Sequence, residues 1–221
     1  MVKQKPKTIE RPLWKRLWYQ LTQLVAGIYF RIWFRLRREG HRRPPMTGPM
    51  VLVSNHASHL DPVLIGVMLP RQICYLARAT LFRGVLGPLI RSYDSVPIDR
   101  EGSGLSGIRA ILKRLKMNDA VLLFPEGTRT RDGELQPLEP GFLSLVRRGK
   151  ATLAPVGING SFEAMPRGVL LPRPARIGLV YGEPIAAEEL AKYSDEELLE
   201  LVRERIASCC QRAAVLAGRR H

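Results

Sequence analysis

The sequence predicts a single α/β domain, a mixed and mostly parallel sheet flanked by helices, preceded by an N-terminal helical element. Three observations carry this. Apolar runs of strand length recur at 50–53, 73–77, 95–98, 120–124, 152–158 and 175–181, and runs this short, ended by polar or turn residues, read as buried strands. Helical stretches stand between several of them, as helices on the faces of a sheet require. With 221 residues and 45% hydrophobic content, the chain can bury one sizeable core, so one domain is the default.

The chain opens on a basic arm, residues 1–11. Residues 1–50 hold twelve Lys and Arg against Glu10 and Glu39, so +10 of the formal net charge of +15 sits there. Pro12–Arg38 reads as helical, with Trp14, Trp18, Tyr19, Tyr29, Phe30, Trp33 and Phe34 among aliphatics and arginines. Only 14 uncharged residues separate Arg16 from Arg31, whereas a spanning helix needs about 20 apolar ones. No small-residue cleavage site marks a secretory signal. Aromatics and aliphatics bracketed by arginines suit a helix or helix pair lying in a membrane interface against anionic headgroups. Packing of the same aromatics against the domain is the competing reading. Nucleic acid is not an expected partner, because no recognisable binding motif accompanies the charge. Arg42–Pro49, with three prolines and a glycine, is a linker. The expected organisation is therefore arm 1–11, interface helices and linker 12–47, and domain 48–221.

The strand Met50–Val53 delivers Ser54, Asn55 and His56 to its end, and Asp61 follows five residues after His56. A carboxylate beside an imidazole holds its tautomer and stabilises the imidazolium, as a general base requires. On one helix, residues five apart lie about 140° apart around the axis, so the two can meet only across a loop or turn. Asp61-Pro62 supports that, reading as a helix N-cap followed by proline at the first helical position. The same feature allows a plainer reading, with Asp61 a cap and His56 a strand-end hydrogen-bonding residue. His56 and His59 lack a third metal ligand nearby, so no metal is expected. Ser54 and Ser58 lack the Gly-x-Ser-x-Gly elbow of a hydrolase nucleophile.

A helix should run from Asp61 until Pro70 ends it, followed by the strand Ile73–Ala77, a helical stretch Thr80–Arg91, and the strand Ser95–Ile98 leading to Asp99-Arg100. Gly102, Gly104 and Gly107 then spell G-x-G-x-x-G before the helical Leu105–Met117. This imitates a dinucleotide fingerprint, but Asp99-Arg100-Glu101 stands where a strand should run directly into the first glycine, so no nucleotide site is expected. The strand Ala120–Phe124 ends in Phe124-Pro125-Glu126-Gly127-Thr128-Arg129, which gathers a carboxylate, a hydroxyl and a guanidinium at a strand end. Arg100 and Arg129 could converge there on one anion, and guanidinium matches phosphate best. Strands Thr152–Ile158 and Ala175–Tyr181 follow. The amphipathic Ser194–Ala217 closes the chain, with Ser194 and Glu197 as a capping box and Gly218 at its end. Cys74, Cys209 and Cys210 form no disulfide framework, so a reducing compartment is expected.

Four blocks, in order, carry a resemblance: Asn55-His56-Ala57-Ser58-His59-Leu60-Asp61, Val96–Arg100, Phe124–Gly133 and Leu153–Ile158. Across residues 48–185 the chain resembles the glycerolipid acyltransferase family, which includes 1-acyl-sn-glycerol-3-phosphate (lysophosphatidic acid) acyltransferases. The resemblance implies transfer of a fatty acyl group from an acyl-CoA or acyl-carrier-protein thioester to the sn-2 hydroxyl of 1-acyl-glycerol-3-phosphate, giving phosphatidic acid. It implies no metal, no cofactor and no acyl-enzyme. His56 would be the base and Asp61 its orienter. Arg100, Glu126, Gly127 and Arg129 would form the acceptor site, Asn55 and Thr128 would also bind substrate, Pro155 would lie on the acyl side, and Arg78 is a secondary candidate. Glu126, which cannot bind a phosphate dianion, is expected to position Arg129 or glycerol hydroxyls. The enzyme would sit peripherally on the cytoplasmic face of the cell membrane. Asp94 (where glycine is common), Arg78 (where lysine is), the 140–142 region and Ala154 depart from the family pattern. Another lysolipid acceptor, a thioester or ester hydrolase using the same His-Asp pair, and a non-catalytic lipid-binding module are the competing functions.

Overall fold

The computed structural model describes residues 11–83, 87–98 and 105–219. The chain begins with helix α1 (Leu13–Trp33), strand β1 (Arg37–Glu39), strand β2 (Met50–Ser54) and helix α2 (Asp61–Met68). Strands β3 (Ile73–Cys74) and β4 (Leu76–Arg78), a 3₁₀ turn, helix α3 (Gly87–Ser92) and strand β5 (Val96–Ile98) come next. Then follow α4 (Leu105–Lys116), β6 (Ala120–Leu123), α5 (Gly141–Gly149), β7 (Thr152–Asn159), the single turn α6 (Ser161–Ala164), β8 (Gly178–Tyr181) and α7 (Asp195–Leu216).

Six strands form one sheet in the order β1-β8-β7-β2-β6-β3, and β4 pairs with β5 separately. Every pairing between these strands is parallel except β7 with β8, so the mixed, mostly parallel sheet expected from sequence is present. β2 is central, with β6 and β7 in register on its two sides from Met50 onward. All five of its residues are buried, which is why it reads as an unbroken apolar run. Its side chains divide by pleat. Met50 and Leu52 join the core beneath α1 and α2, with Phe30, Phe34 and Leu64. Val51 and Val53 join the opposite core beneath α4, α5 and α7, with Leu115, Val146 and Val202.

Three sequence expectations are corrected, and one further helix is added. Helix α1 stops at Trp33 rather than Arg38, because Arg35 takes a left-handed conformation (φ 44°) and the Arg37 N–H is drawn to the Ile177 carbonyl at 3.0 Å. Residues 37–39 thus become the edge strand β1, and the segment expected to hold only helices and linker supplies a strand to the sheet. The run 73–77 is two strands, because at Tyr75 the backbone leaves β6 and its carbonyl accepts from Val96 at 2.8 Å. In place of one helix over 80–91, the described residues there form a 3₁₀ turn (Ala79–Phe82) and the short α3. Helix α5, anchored by buried Phe142, Leu143 and Val146, was not expected. The C-terminal helix has its capping box, with Glu197 N–H donating to Ser194 Oγ at 3.1 Å and Ser194 N–H to Glu197 Oε2 at 2.8 Å.

Candidate active site

The parallel register brings the carboxyl ends of β2, β6 and β7 to one edge of the sheet, which is where α/β sheets place their sites. The loop leaving β2 is fastened there from both sides. Asn55 uses both ends of its amide on Ile158 of β7: Nδ2 donates to the carbonyl, and Oδ1 accepts from the N–H, each at 2.9 Å. That pairing extends the β2–β7 ladder through a side chain and makes Asn55 a clamp on the loop. The His56 N–H donates to Glu126 Oε1 at 2.7 Å, and the His56 carbonyl accepts from the Thr130 N–H at 2.8 Å. The backbone of His56 is therefore held by the two ends of the Glu126–Thr130 turn.

The loop folds back so that His56 Nδ1 and Asp61 Oδ2 lie 2.9 Å apart, as the five-residue spacing required. The same oxygen accepts from the N–H groups of Ala57 and Ser58, each at 2.7 Å. An oxygen holding two N–H donors is an acceptor, so the proton of this pair sits on Nδ1. Nε2 then carries the free lone pair. Phe124 stacks on the imidazole with centroids 3.9 Å apart and planes at 16°, fixing the ring's orientation. Asp61 is completely buried, while the His56 side chain keeps 18% of its surface exposed. The N-cap expectation is corrected: Leu60 occupies that position, Asp61 is the first helical residue, and no side chain caps α2. The carboxylate serves the loop instead, because Pro62 and the turn at Ser58–Asp61 aim it backwards.

Glu126 is buried, and its second oxygen accepts from the Gln136 N–H at 3.1 Å. Burial pushes this carboxyl up from 4.5 to about 7, against the two N–H donors, and the Asp61 and Asp132 charges add to the rise. With one oxygen on the His56 N–H and the other on the Gln136 N–H, Glu126 braces the loop that carries the imidazole. Gly127 and Thr128 are exposed; Gly127 takes φ 69°, a conformation that favours glycine. Arg129 is half-buried, and its carbonyl accepts from Arg167 Nη1 at 3.3 Å. Arg100 lies outside the described residues. Arg78 ends β4, paired with Ile98 just before that stretch. Pro155 sits in β7 opposite Val53, against Gly182, whose added Cβ would meet the proline ring at 3.0 Å. It belongs to the α7 side of the sheet, not to the Phe124 side. Among the described residues no three His, Cys, Asp or Glu side chains gather as metal ligands would.

Sequence reasoning missed three contributors. Phe124 reads from sequence only as the apolar end of a strand, and nothing local shows that it stacks on the imidazole. Thr130 acts on His56 through its backbone, which no residue type advertises. Gln136 reaches back ten positions to Glu126, and its side chain also ties Thr130 Oγ1 (3.3 Å) to Asp132 Oδ1 (3.0 Å); only the fold brings them together. Cys74 and Cys209 are buried, with burial pushing their thiols up to about 12 and about 11.

One edge of the sheet thus carries an imidazole held by a buried carboxylate and stacked on Phe124, an arrangement chemically able to take a proton from a bound hydroxyl. The family model described as Acyltransferase matches residues 35–159, and the chain belongs to that family. It is 32% identical over 162 residues to the 1-acyl-sn-glycerol-3-phosphate acyltransferase of Bacillus subtilis, covering 72% of this chain and 78% of that protein. It is 26% identical over 161 residues to the enzyme of the same name from Limnanthes douglasii, covering 70% of this chain and 56% of the plant protein. The fold matches the crystal structure of the 1-acyl-sn-glycerophosphate acyltransferase PlsC from Thermotoga maritima, with a TM-score of 0.76 at 22% identity, over 90% of this chain and 81% of that one.

Proposed function

We propose that this acyltransferase moves a fatty acyl group from a thioester to the sn-2 hydroxyl of 1-acyl-glycerol-3-phosphate, giving phosphatidic acid in phospholipid biosynthesis. The carrying observation is the His56–Asp61 pair at 2.9 Å in a chain of this family. Nε2 takes the proton of the acceptor hydroxyl as its oxygen attacks the thioester carbonyl, and Asp61 stabilises the imidazolium. When the tetrahedral intermediate collapses, the C–S bond breaks and the imidazolium returns the proton to the thiolate. General-base catalysis contributes about 10²–10⁴-fold; juxtaposing the two substrates supplies much of the remainder. Arg129, with Arg100, binds the acceptor phosphate, and the Gly127-Thr128 turn lets it approach the backbone. Acyl-CoA or acyl-carrier protein is the donor, and no metal or other cofactor takes part.

The enzyme works at an anionic membrane surface, on the cytoplasmic face of the cell membrane. Support comes from α1, where Leu17, Leu21, Leu24, Ile28 and Ile32 form one helical face with 50–74% of their surfaces exposed. No helix among the described residues is long and apolar enough to cross a membrane, so α1 suits the interface.

The test is thiol release from palmitoyl-CoA, with and without lysophosphatidic acid, for the wild type and His56→Ala. Release that needs both the acceptor and His56 is the expected result. Release without acceptor would replace this reading by a hydrolase, and a folded His56→Ala variant with wild-type activity would remove the base assignment.

A further inference from the structure

Helix α1 is not the only apolar surface presented to solvent. Leu170 and Leu171 are 87% and 79% exposed, more than any other large hydrophobic residue described. They sit at the tip of a closed excursion between α6 and β8. The Arg173 N–H donates to the Ala164 carbonyl at 2.8 Å and closes its base, and the Val169 N–H donates to the Pro166 carbonyl at 3.3 Å. Pro166, Pro172 and Pro174 stiffen the segment. Residues 164–182 hold Arg167, Arg173 and Arg176 and no acidic residue, and all three arginines are exposed. The prong grows directly from the active site: the Met165 carbonyl accepts from Ser58 Oγ at 2.8 Å, and Arg167 reaches the Arg129 carbonyl.

We propose that the Leu170–Leu171 prong is a second membrane contact, distinct from α1, which enters the headgroup region of an anionic bilayer and holds the mouth of the His56 site against the surface that supplies its lipid. An apolar tip with arginines set behind it reproduces the layering of a bilayer interface, where aliphatic groups pass the headgroups and cationic heads remain among the phosphates. The base of the prong belongs to the same core as the inner face of α1: Ala164, Ala175 and Ile177 pack with Phe30 and Phe34. Both contacts therefore arise from one side of the sheet. An acidic protein could satisfy the arginines, but two adjacent leucines standing almost fully in water favour a bilayer. The inference rests on the membrane reading above and goes beyond it in naming the element that orients the site.

The experiment compares the full chain with a Leu170→Ser/Leu171→Ser variant, and with a Leu21→Ser/Leu24→Ser variant of α1 as reference. Binding is measured on phosphatidylcholine vesicles with and without phosphatidylglycerol. Because both leucines of the prong are exposed, its variant should melt with the wild type. It should bind phosphatidylglycerol vesicles about tenfold more weakly, and lose activity on vesicle-borne acceptor while keeping it on acceptor dispersed in detergent. If the wild type and the α1 variant differ in binding but the prong variant matches the wild type, the membrane reading stands and the prong contact is overturned. If the prong variant binds vesicles normally but shows a raised KM for an acyl-carrier-protein thioester, the prong docks a protein instead. If the wild type binds no vesicles, both readings fall together.

Discussion

At the scale of single residues, the site is built on hydrogen bonds to backbone as much as on its reactive side chains. Asp61 accepts from His56, Ala57 and Ser58 through one oxygen, so Asp61→Asn alters both charge and loop geometry. It is expected to lower kcat by about 10²–10⁴-fold with a smaller change in acceptor KM, measurable by steady-state kinetics. Arg129→Ala should show the opposite split, raising the acceptor KM more than the donor KM. Glu126 gives a pH signature. Its carboxyl rises from 4.5 to about 7 in the fold, so between those values the native state holds a proton that the unfolded chain has released. Stability should therefore fall as pH rises from about 4.5 to about 7, the desolvation penalty being absent below that window and complete above it. Glu126→Gln, which cannot ionise, should flatten this slope in denaturant titrations at pH 4.5, 6 and 7.5; an unchanged slope would remove Glu126 as its source.

At the scale of elements, two contacts decide how helices sit on the sheet. Helix α7 lies directly on β7 and β8. A Cβ on Gly157 would meet the Cys209 and Cys210 backbone at 2.3 Å, and one on Gly178 would meet the Ala213 carbonyl oxygen at 1.9 Å. Gly157→Ala should cost about 1–3 kcal/mol by overpacking, or about 2–4 °C of melting temperature per kcal/mol, read by calorimetry. The start of α1 is tied down by charge. Arg11 Nε and Lys15 Nζ each lie 2.8 Å from Asp94, and Arg11 also meets Asp119 at 3.1 Å. Asp94 has φ 55°: Asp tolerates the left-handed conformation, and here its carboxylate gains two cations. Asp94→Gly should keep the turn but loosen the first turns of α1, seen as faster amide exchange there, while β2 and β7 stay protected.

At the scale of the whole molecule, the sheet divides labour between its sides. Helix α7 packs closely on β7 and β8 and turns charged residues such as Arg203 and Arg212 to solvent, while the α1 side offers a broad apolar surface together with arginines. With a net charge of +15, binding to anionic vesicles should weaken as ionic strength rises, because screening shortens the reach of exposed charges. Binding that persists in high salt would measure the apolar share contributed by α1 and the Leu170–Leu171 prong.

The sequence by itself determined the runs that became β2, β6 and β7, the capped C-terminal helix and the requirement that His56 and Asp61 meet across a loop, because each follows from local periodicity or spacing. It also showed that residues 55–61 and 124–129 sit at strand ends. Only the tertiary structure decided that Asn55 spends its amide on Ile158, that Glu126 braces His56, that residues 37–39 join the sheet, and that Pro155 lies on the α7 side. Those outcomes depend on which strands become neighbours and in what register. That is set by packing between residues tens of positions apart, and no local pattern encodes it.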